Sequence, residues 1–134
     1  MSVKIEGLCP LLQVFDMPAS LGFYRDVLGF EVVAQAPGES DACDWAWLRQ
    51  GSAEIMLNTR YEADARPAVP DPERVAAHDD TSLYIGCPDV DGAFRHLRSM
   101  GIEVEAPVVA PYGMKQLYLK DPDGYTICFQ WKAR

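Results

Sequence analysis

The sequence predicts an α+β fold built from two tandem βαβββ modules. Three observations carry the two modules. First, residues recur at a nearly constant offset. Asp16 matches Asp89 at 73, Gly29-Phe30-Glu31-Val32 matches Gly101-Ile102-Glu103-Val104 at 72, Trp47-Leu48 matches Tyr118-Leu119 at 71, and Ile55-Met56-Leu57 matches Ile127-Cys128-Phe129 at 72. A repeat of this kind marks a duplicated supersecondary unit. Second, each half runs from an alternating strand into a helix with an aspartate at its start and a glycine at its end. Third, each half closes on a hairpin whose turn residues are those that turns require.

Residues 9–16 read as the first strand, with Leu12 and Val14 on one face and Leu11, Gln13 and Phe15 on the other. Asp16 and Pro18 open a helix, since an aspartate caps free amides and a proline fits the first turn. Leu21, Tyr24 and Leu28 supply its apolar stripe, and Gly29 stops it. Phe30 to Ala34 form the next strand. Asp44 to Gln50 and Glu54 to Asn58 form a hairpin turning at Gly51-Ser52.

The second half repeats this order. Thr81 to Cys87 read as a strand, and Asp89 caps a helix with Val90, Ala93, Phe94, Leu97 and Met100 on its apolar side. Gly101 ends that helix, and Ile102 to Val104 begin the following strand. Gln116 to Lys120 and Tyr125 to Trp131 pair across the turn Asp121-Pro122-Asp123-Gly124. The chain is therefore expected to be a single domain over 1–134, with module one at about 7–58, a linker at 59–80 and module two at about 81–131. The linker holds three prolines, several acids and no apolar periodicity.

At 134 residues the chain can bury roughly two thirds of its unfolded surface, so its core needs no disulfide or structural metal. Cys9, Cys43, Cys87 and Cys128 form no CxxC and read as reduced thiols. Twelve basic against twenty acidic residues give a net charge of −8. Such a charge repels phosphate backbones and anionic lipid, so nucleic acid and membranes are not expected partners. No apolar run reaches the roughly 18 residues of a membrane helix, and the N-terminus lacks a signal-peptide layout, so a cytoplasmic protein is expected.

The segments Val14-Phe15-Asp16, Phe23-Tyr24-Arg25-Asp26-Val27-Leu28-Gly29-Phe30 and Leu119-Lys120-Asp121-Pro122-Asp123-Gly124-Tyr125 resemble the vicinal oxygen chelate superfamily. That superfamily holds glyoxalase I, extradiol dioxygenases, fosfomycin-resistance enzymes and bleomycin-resistance proteins. The resemblance covers nearly the whole chain in the correct order. It implies two modules curling their sheets into an open, barrel-like cup, often at a homodimer interface.

The resemblance also implies four metal-ligand positions, usually His and Glu. Counting from the helix-capping aspartates and from Asp121 of the turn, they fall on Cys9, Met56, Ser82 and Cys128. Metal chemistry of the family kind relies on imidazole nitrogen and carboxylate oxygen, and neither is present. No metal and no other cofactor is therefore expected. Two thiols and a thioether suit a soft ion such as Cu(I), while buried packing residues are the plainer reading.

Side chains two apart on a strand share a face. From the ligand-equivalent positions, the cup face carries Cys9, Leu11, Gln13, Glu54, Met56 and Asn58 in module one. Module two adds Ser82, Tyr84, Thr126, Cys128 and Gln130, and the hairpins add Trp45, Trp47, Gln116 and Tyr118. Leu48 and Leu119 point to the helix side. A packed core does not normally collect amides and a carboxylate beside tryptophans, whereas a ligand cavity does. A solvated sheet face is the alternative. Glu54 is the one cup-facing carboxylate, and three roles are open to it: binding a cation, acting as a general base, or sitting at a wet rim. His78, beside Asp79 and Asp80, reads as solvated loop, and His96 as an exposed helix residue.

Two function classes follow. One is a metal-independent protein that binds a small aromatic or cationic molecule, as the bleomycin-resistance branch does in conferring antibiotic resistance. The other is a metal-dependent lyase, isomerase or dioxygenase with a rearranged site, for example Glu54 with His78. A dimeric interaction module with an empty cup is a third, plainer option.

Overall fold

The computed structural model describes residues 2–61 and 64–134 and divides into two compact units, separated between Pro67 and Ala68. Glu62, one of the acids placed in the loop at 62–80, lies outside the described residues.

In unit one, β1 (Leu11–Gln13), α1 (Met17–Leu21), β2 (Glu31–Ala36), β3 (Trp45–Gln50) and β4 (Ala53–Asn58) form one βαβββ module. The strand order is β1-β4-β3-β2, with β1 parallel to β4 and the other pairs antiparallel. Asp16 caps α1, accepting from the Ala19 amide at 3.2 Å. The helix then widens over Gly22–Val27, where the Leu28 amide bonds the Phe23 carbonyl five residues back. That wider turn places adjacent Phe23 and Tyr24 in the core together, which a stripe at spacings of three and four does not anticipate.

Unit two repeats the topology. Its strands are β5 (Ser82–Gly86), β6 (Val108–Val109), β7 (Met114–Lys120) and β8 (Thr126–Lys132), in the order β5-β8-β7-β6. The helices are α2 (Pro72–Ala77) and α3 (Val90–Ser99), and Asp89 caps α3 through the Gly92 amide at 2.9 Å. Both modules thus have the predicted order, and the fold is α+β with two four-stranded mixed sheets.

Each sheet buries one face. In unit one Leu12, Ala46, Leu48, Ile55 and Leu57 are buried together with Met17, Leu21 and Tyr24, and α1 lies against β4. In unit two Leu117, Leu119 and Ile127 pack with Val90 and Leu97. Each Leu, Ile, Val or Met side chain among them contributes about 1.5–3 kcal/mol before entropy is counted.

Five expectations need correction. The first strand is shorter than 9–16, so Cys9 precedes β1. The strand expected at 102–104 is absent; β6 begins at Val108. The reason lies at the end of α3, where the Ile102 amide bonds the Leu97 carbonyl and Gly101 takes φ +80°. That cap turns the chain away before it reaches the sheet edge. Met100 sits at the same cap and is exposed rather than part of the apolar stripe.

The linker at 59–80 is also more structured than expected. Its first part folds back on unit one, where Tyr61 meets Phe15 edge-on and Arg66 pairs with Asp16 at 3.3 Å. Its second part holds α2 and a tight helical turn at His78–Asp80. This segment packs on the Asp121–Gly124 turn. His78 is half-buried rather than solvated: Nδ1 donates to the Asp123 carbonyl at 2.7 Å and the ring stacks on Tyr125 at 4.0 Å. Lys120 pairs with Asp79.

Candidate functional site

The strand faces turned away from the helices carry the predicted candidates. In unit one the register sets Leu11, Met56 and Trp47 side by side, and Gln13, Asn58 and Trp45 beside them. Trp47 Nε1 donates to Glu54 Oε1 at 3.1 Å, reaching diagonally across the hairpin. Asn58 Nδ2 approaches Gln13 Oε1 at 3.4 Å. Burial raises the Cys9 thiol pKa, and the Glu54 charge raises it further. The module therefore presents indole surface, two amides and a carboxylate on one half-buried face.

In unit two the corresponding row is Tyr84, Cys128 and Tyr118. Cys128 lies on the central strand of the three. The hydroxyls of its two neighbours nevertheless meet at 3.1 Å, with the rings perpendicular. The phenols must lean toward each other over the middle strand to do so. This arch explains why Cys128 is fully buried (0%) while Tyr84 and Tyr118 remain about half exposed, at 53% and 47%. Burial raises the Cys128 thiol pKa, favouring the protonated form. Ser82 pairs with Thr126 one step along the face and is exposed.

The arch continues as a hydrogen-bond chain. Tyr118 donates to Gln116 Oε1 at 3.1 Å, and Gln116 Nε2 donates to Gln130 Oε1 at 3.0 Å and to the Tyr112 hydroxyl at 2.7 Å. Gln116 and Gln130 are direct partners across β7 and β8. The bond to Tyr84 leads the causes that push the Tyr118 hydroxyl pKa upward, ahead of burial.

Sequence reasoning missed Tyr112. It sits in the β6–β7 turn, where the Gly113 amide bonds the Ala110 carbonyl and Gly113 takes φ +89°. The Pro111-Tyr112-Gly113 turn was the available signal, since an aromatic at a tight turn beside a strand end can reach back over the sheet.

The family-type metal does not fit this donor set. The four positions offer two thiols, a thioether and a hydroxyl, and Cys128 is covered by the tyrosine arch. Among the described residues, no three His, Cys, Asp or Glu side chains are grouped as a metal site needs. Glu54 is engaged by Trp47, and His78 by Asp123 and Tyr125, in different units. His96 is exposed on α3. No helix among the described residues is long and apolar enough to cross a membrane.

The model of the Glyoxalase/Bleomycin resistance protein/Dioxygenase superfamily matches residues 8–129. A search of curated proteins finds no match. Among solved structures, the chain is similar to a bleomycin resistance determinant encoded on the transposon Tn5. The two are 21% identical with a TM-score of 0.71, over 96% of this chain and 98% of that one. It is also similar to a bleomycin-binding protein complexed with bleomycin, at 20% identity and a TM-score of 0.70, over 96% and 99% of the two chains. A lactoylglutathione lyase from Agrobacterium tumefaciens matches at 22% identity and a TM-score of 0.66, over 94% and 93%. At these identities the likeness is one of fold, and both a binding protein and an enzyme share it.

Proposed function

We propose that the chain, which belongs to the Glyoxalase/Bleomycin resistance protein/Dioxygenase superfamily, is a metal-independent protein that binds a small aromatic or cationic molecule. In this reading it sequesters its ligand as a bleomycin-binding protein does, with no covalent step. The carrying observation is the half-buried face of aromatics and amides on each sheet, with Trp47 and Glu54 on one and the tyrosine arch with Gln116 and Gln130 on the other. Polar side chains of this kind are costly in a packed core and useful in a recognition surface, where aromatics stack and amides orient. The candidate ligand-binding residues are Gln13, Trp45, Trp47, Glu54, Met56, Asn58, Ser82, Tyr84, Gln116, Tyr118, Cys128 and Gln130. The donor set at Cys9, Met56, Ser82 and Cys128 supports metal independence, because it lacks the imidazole and carboxylate of metal-dependent relatives.

The domain reading follows the same lines: one glyoxalase-like domain over 1–134, acting in the cytoplasm as a homodimer. Sedimentation at micromolar concentration checks the assembly. The function is tested by tryptophan fluorescence against a library of planar ligands, together with metal analysis of protein purified after metal-replete growth. Saturable quenching without bound metal is expected. A stoichiometric divalent metal would overturn the reading in favour of a lyase, isomerase or dioxygenase.

A further inference from the structure

We propose that the open face of module two recognises a planar ligand through an acceptor oxygen on that ligand, a carboxylate or an amide carbonyl. This deepens the binding reading above and rests on it. The inference comes from the direction of the hydrogen-bond chain.

Gln116 Oε1 accepts from the Tyr118 hydroxyl at 3.1 Å. The Tyr84 and Tyr118 hydroxyls share a bond at 3.1 Å that either oxygen can donate. Gln116 Nε2 spends both hydrogens, one on Gln130 Oε1 and one on the Tyr112 oxygen. Gln116 is thereby used up within the protein and is itself buried. Both Gln116 bonds run outward, toward groups that keep protons of their own. Gln130 Oε1 accepts from Gln116, which leaves the NH2 group of this half-buried side chain for a ligand. Tyr112 has its oxygen occupied and its own proton left, on a ring that is 70% exposed. By strand alternation Lys132, two residues past Gln130 on β8 and opposite Met114, adds an ammonium to the same face.

Three donors at one end of an aromatic surface suit an oxygen acceptor and repel a cation. The adjoining perpendicular rings of Tyr84 and Tyr118 give a planar group one ring face and one ring edge to pack on. The net charge of −8 opposes an anion at long range, but it is screened beyond about 8 Å at physiological salt, whereas the donors act in contact. An uncharged amide carbonyl avoids that repulsion altogether.

The test titrates the full-length protein with 2-naphthoate, 2-naphthamide and 2-naphthylmethylammonium, reading the side-chain amide NMR signals of Gln116 and Gln130. The naphthoate or the naphthamide is expected to shift the Gln130 amide and to bind about tenfold more tightly than the ammonium, the difference one charge-assisted hydrogen bond makes. The arm that binds better identifies the acceptor as charged or neutral. Gln130→Glu keeps an oxygen to accept from Gln116 and replaces the NH2 with a carboxylate oxygen. It is expected to lower affinity for the winning probe about tenfold or more while the Gln116 signals stay in place. Equal affinity for all three probes, or preference for the ammonium, overturns this inference and leaves the binding reading standing. Failure of every probe to bind overturns both.

Discussion

Trp47 Nε1 donates a 3.1 Å hydrogen bond to Glu54 Oε1, so the single carboxylate predicted on the cup face is held by an indole from the adjacent strand. The same carboxylate raises the pKa of Cys9, behind the effect of burial. Glu54→Gln retains an oxygen for Trp47 and removes the charge. Cys9 should then hold more thiolate at any pH between neutral and its own pKa, and alkylate faster. Iodoacetamide labelling followed by peptide mapping reads Cys9 apart from the other three thiols. An unchanged Cys9 rate at pH 8 would remove the link between the two groups. The same variant should weaken cationic ligands about tenfold and leave neutral ones unaffected.

Trp47→Ala separates binding from folding. The residue pairs with Met56 on the face away from the helix and is only half-buried. Its loss leaves the packed face of Leu48, Ile55 and Leu57 intact. Ligand quenching is expected to disappear while the far-ultraviolet circular dichroism spectrum and cooperative unfolding persist. A collapse of cooperativity would assign Trp47 to the core instead.

Much of this arrangement is legible in the sequence because alternation and caps are local. The pattern around Leu12, Leu48, Leu57, Leu119 and Ile127 identifies the packed faces, and Asp16, Asp89, Gly29 and Gly101 mark the helix ends. Register is what alternation cannot supply. That Tyr84 and Tyr118 flank Cys128, and lean together over it, depends on which residue of β5 and of β7 stands opposite β8. Helix α2 was illegible for another reason. Pro72-Glu73-Arg74-Val75-Ala76-Ala77 has no apolar stripe, and its packing comes from the Asp121–Gly124 turn, about 50 residues further along the chain. The acids also divide unexpectedly. Asp121 and Asp123 are buried at 5% and 4%, where Asp121 Oδ1 accepts from the Asp123 and Tyr125 amides at 2.9 Å.

The docking of α2 on that turn gives a comparison between two glycines. Gly101 and Gly124 both have positive φ, at +80° and +87°. A Cβ at Gly101 meets open space, whereas one at Gly124 comes within 2.8 Å of the Val75 carbonyl oxygen. Gly101→Ala should cost about 1 kcal/mol from backbone conformation alone. Gly124→Ala should cost at least about 2 kcal/mol, because α2 must also shift. Urea denaturation of the two variants reads the difference, and equal losses would show that α2 yields without cost. His78→Ala removes the bond to Asp123 and the stack on Tyr125, and should cost about 1–2 kcal/mol in the same assay.

The tyrosine arch has a titration signature. Tyr118 ionises above the ordinary phenol value, first because of its bond with Tyr84 and then because of burial. A group whose folded pKa is raised favours its protonated form in the folded protein. Its contribution to stability is complete below the unfolded value of about 10 and is lost as pH rises through the higher folded value. Phenolate absorbance should therefore show one tyrosine titrating late, and stability should fall on the alkaline side. Tyr84→Phe should bring that late transition down toward the ordinary range. Stability above pH 10 should then depend less steeply on pH than in the parent protein. If the late transition persists unchanged in Tyr84→Phe, burial rather than the arch sets it, and the two hydroxyls are not coupled in solution.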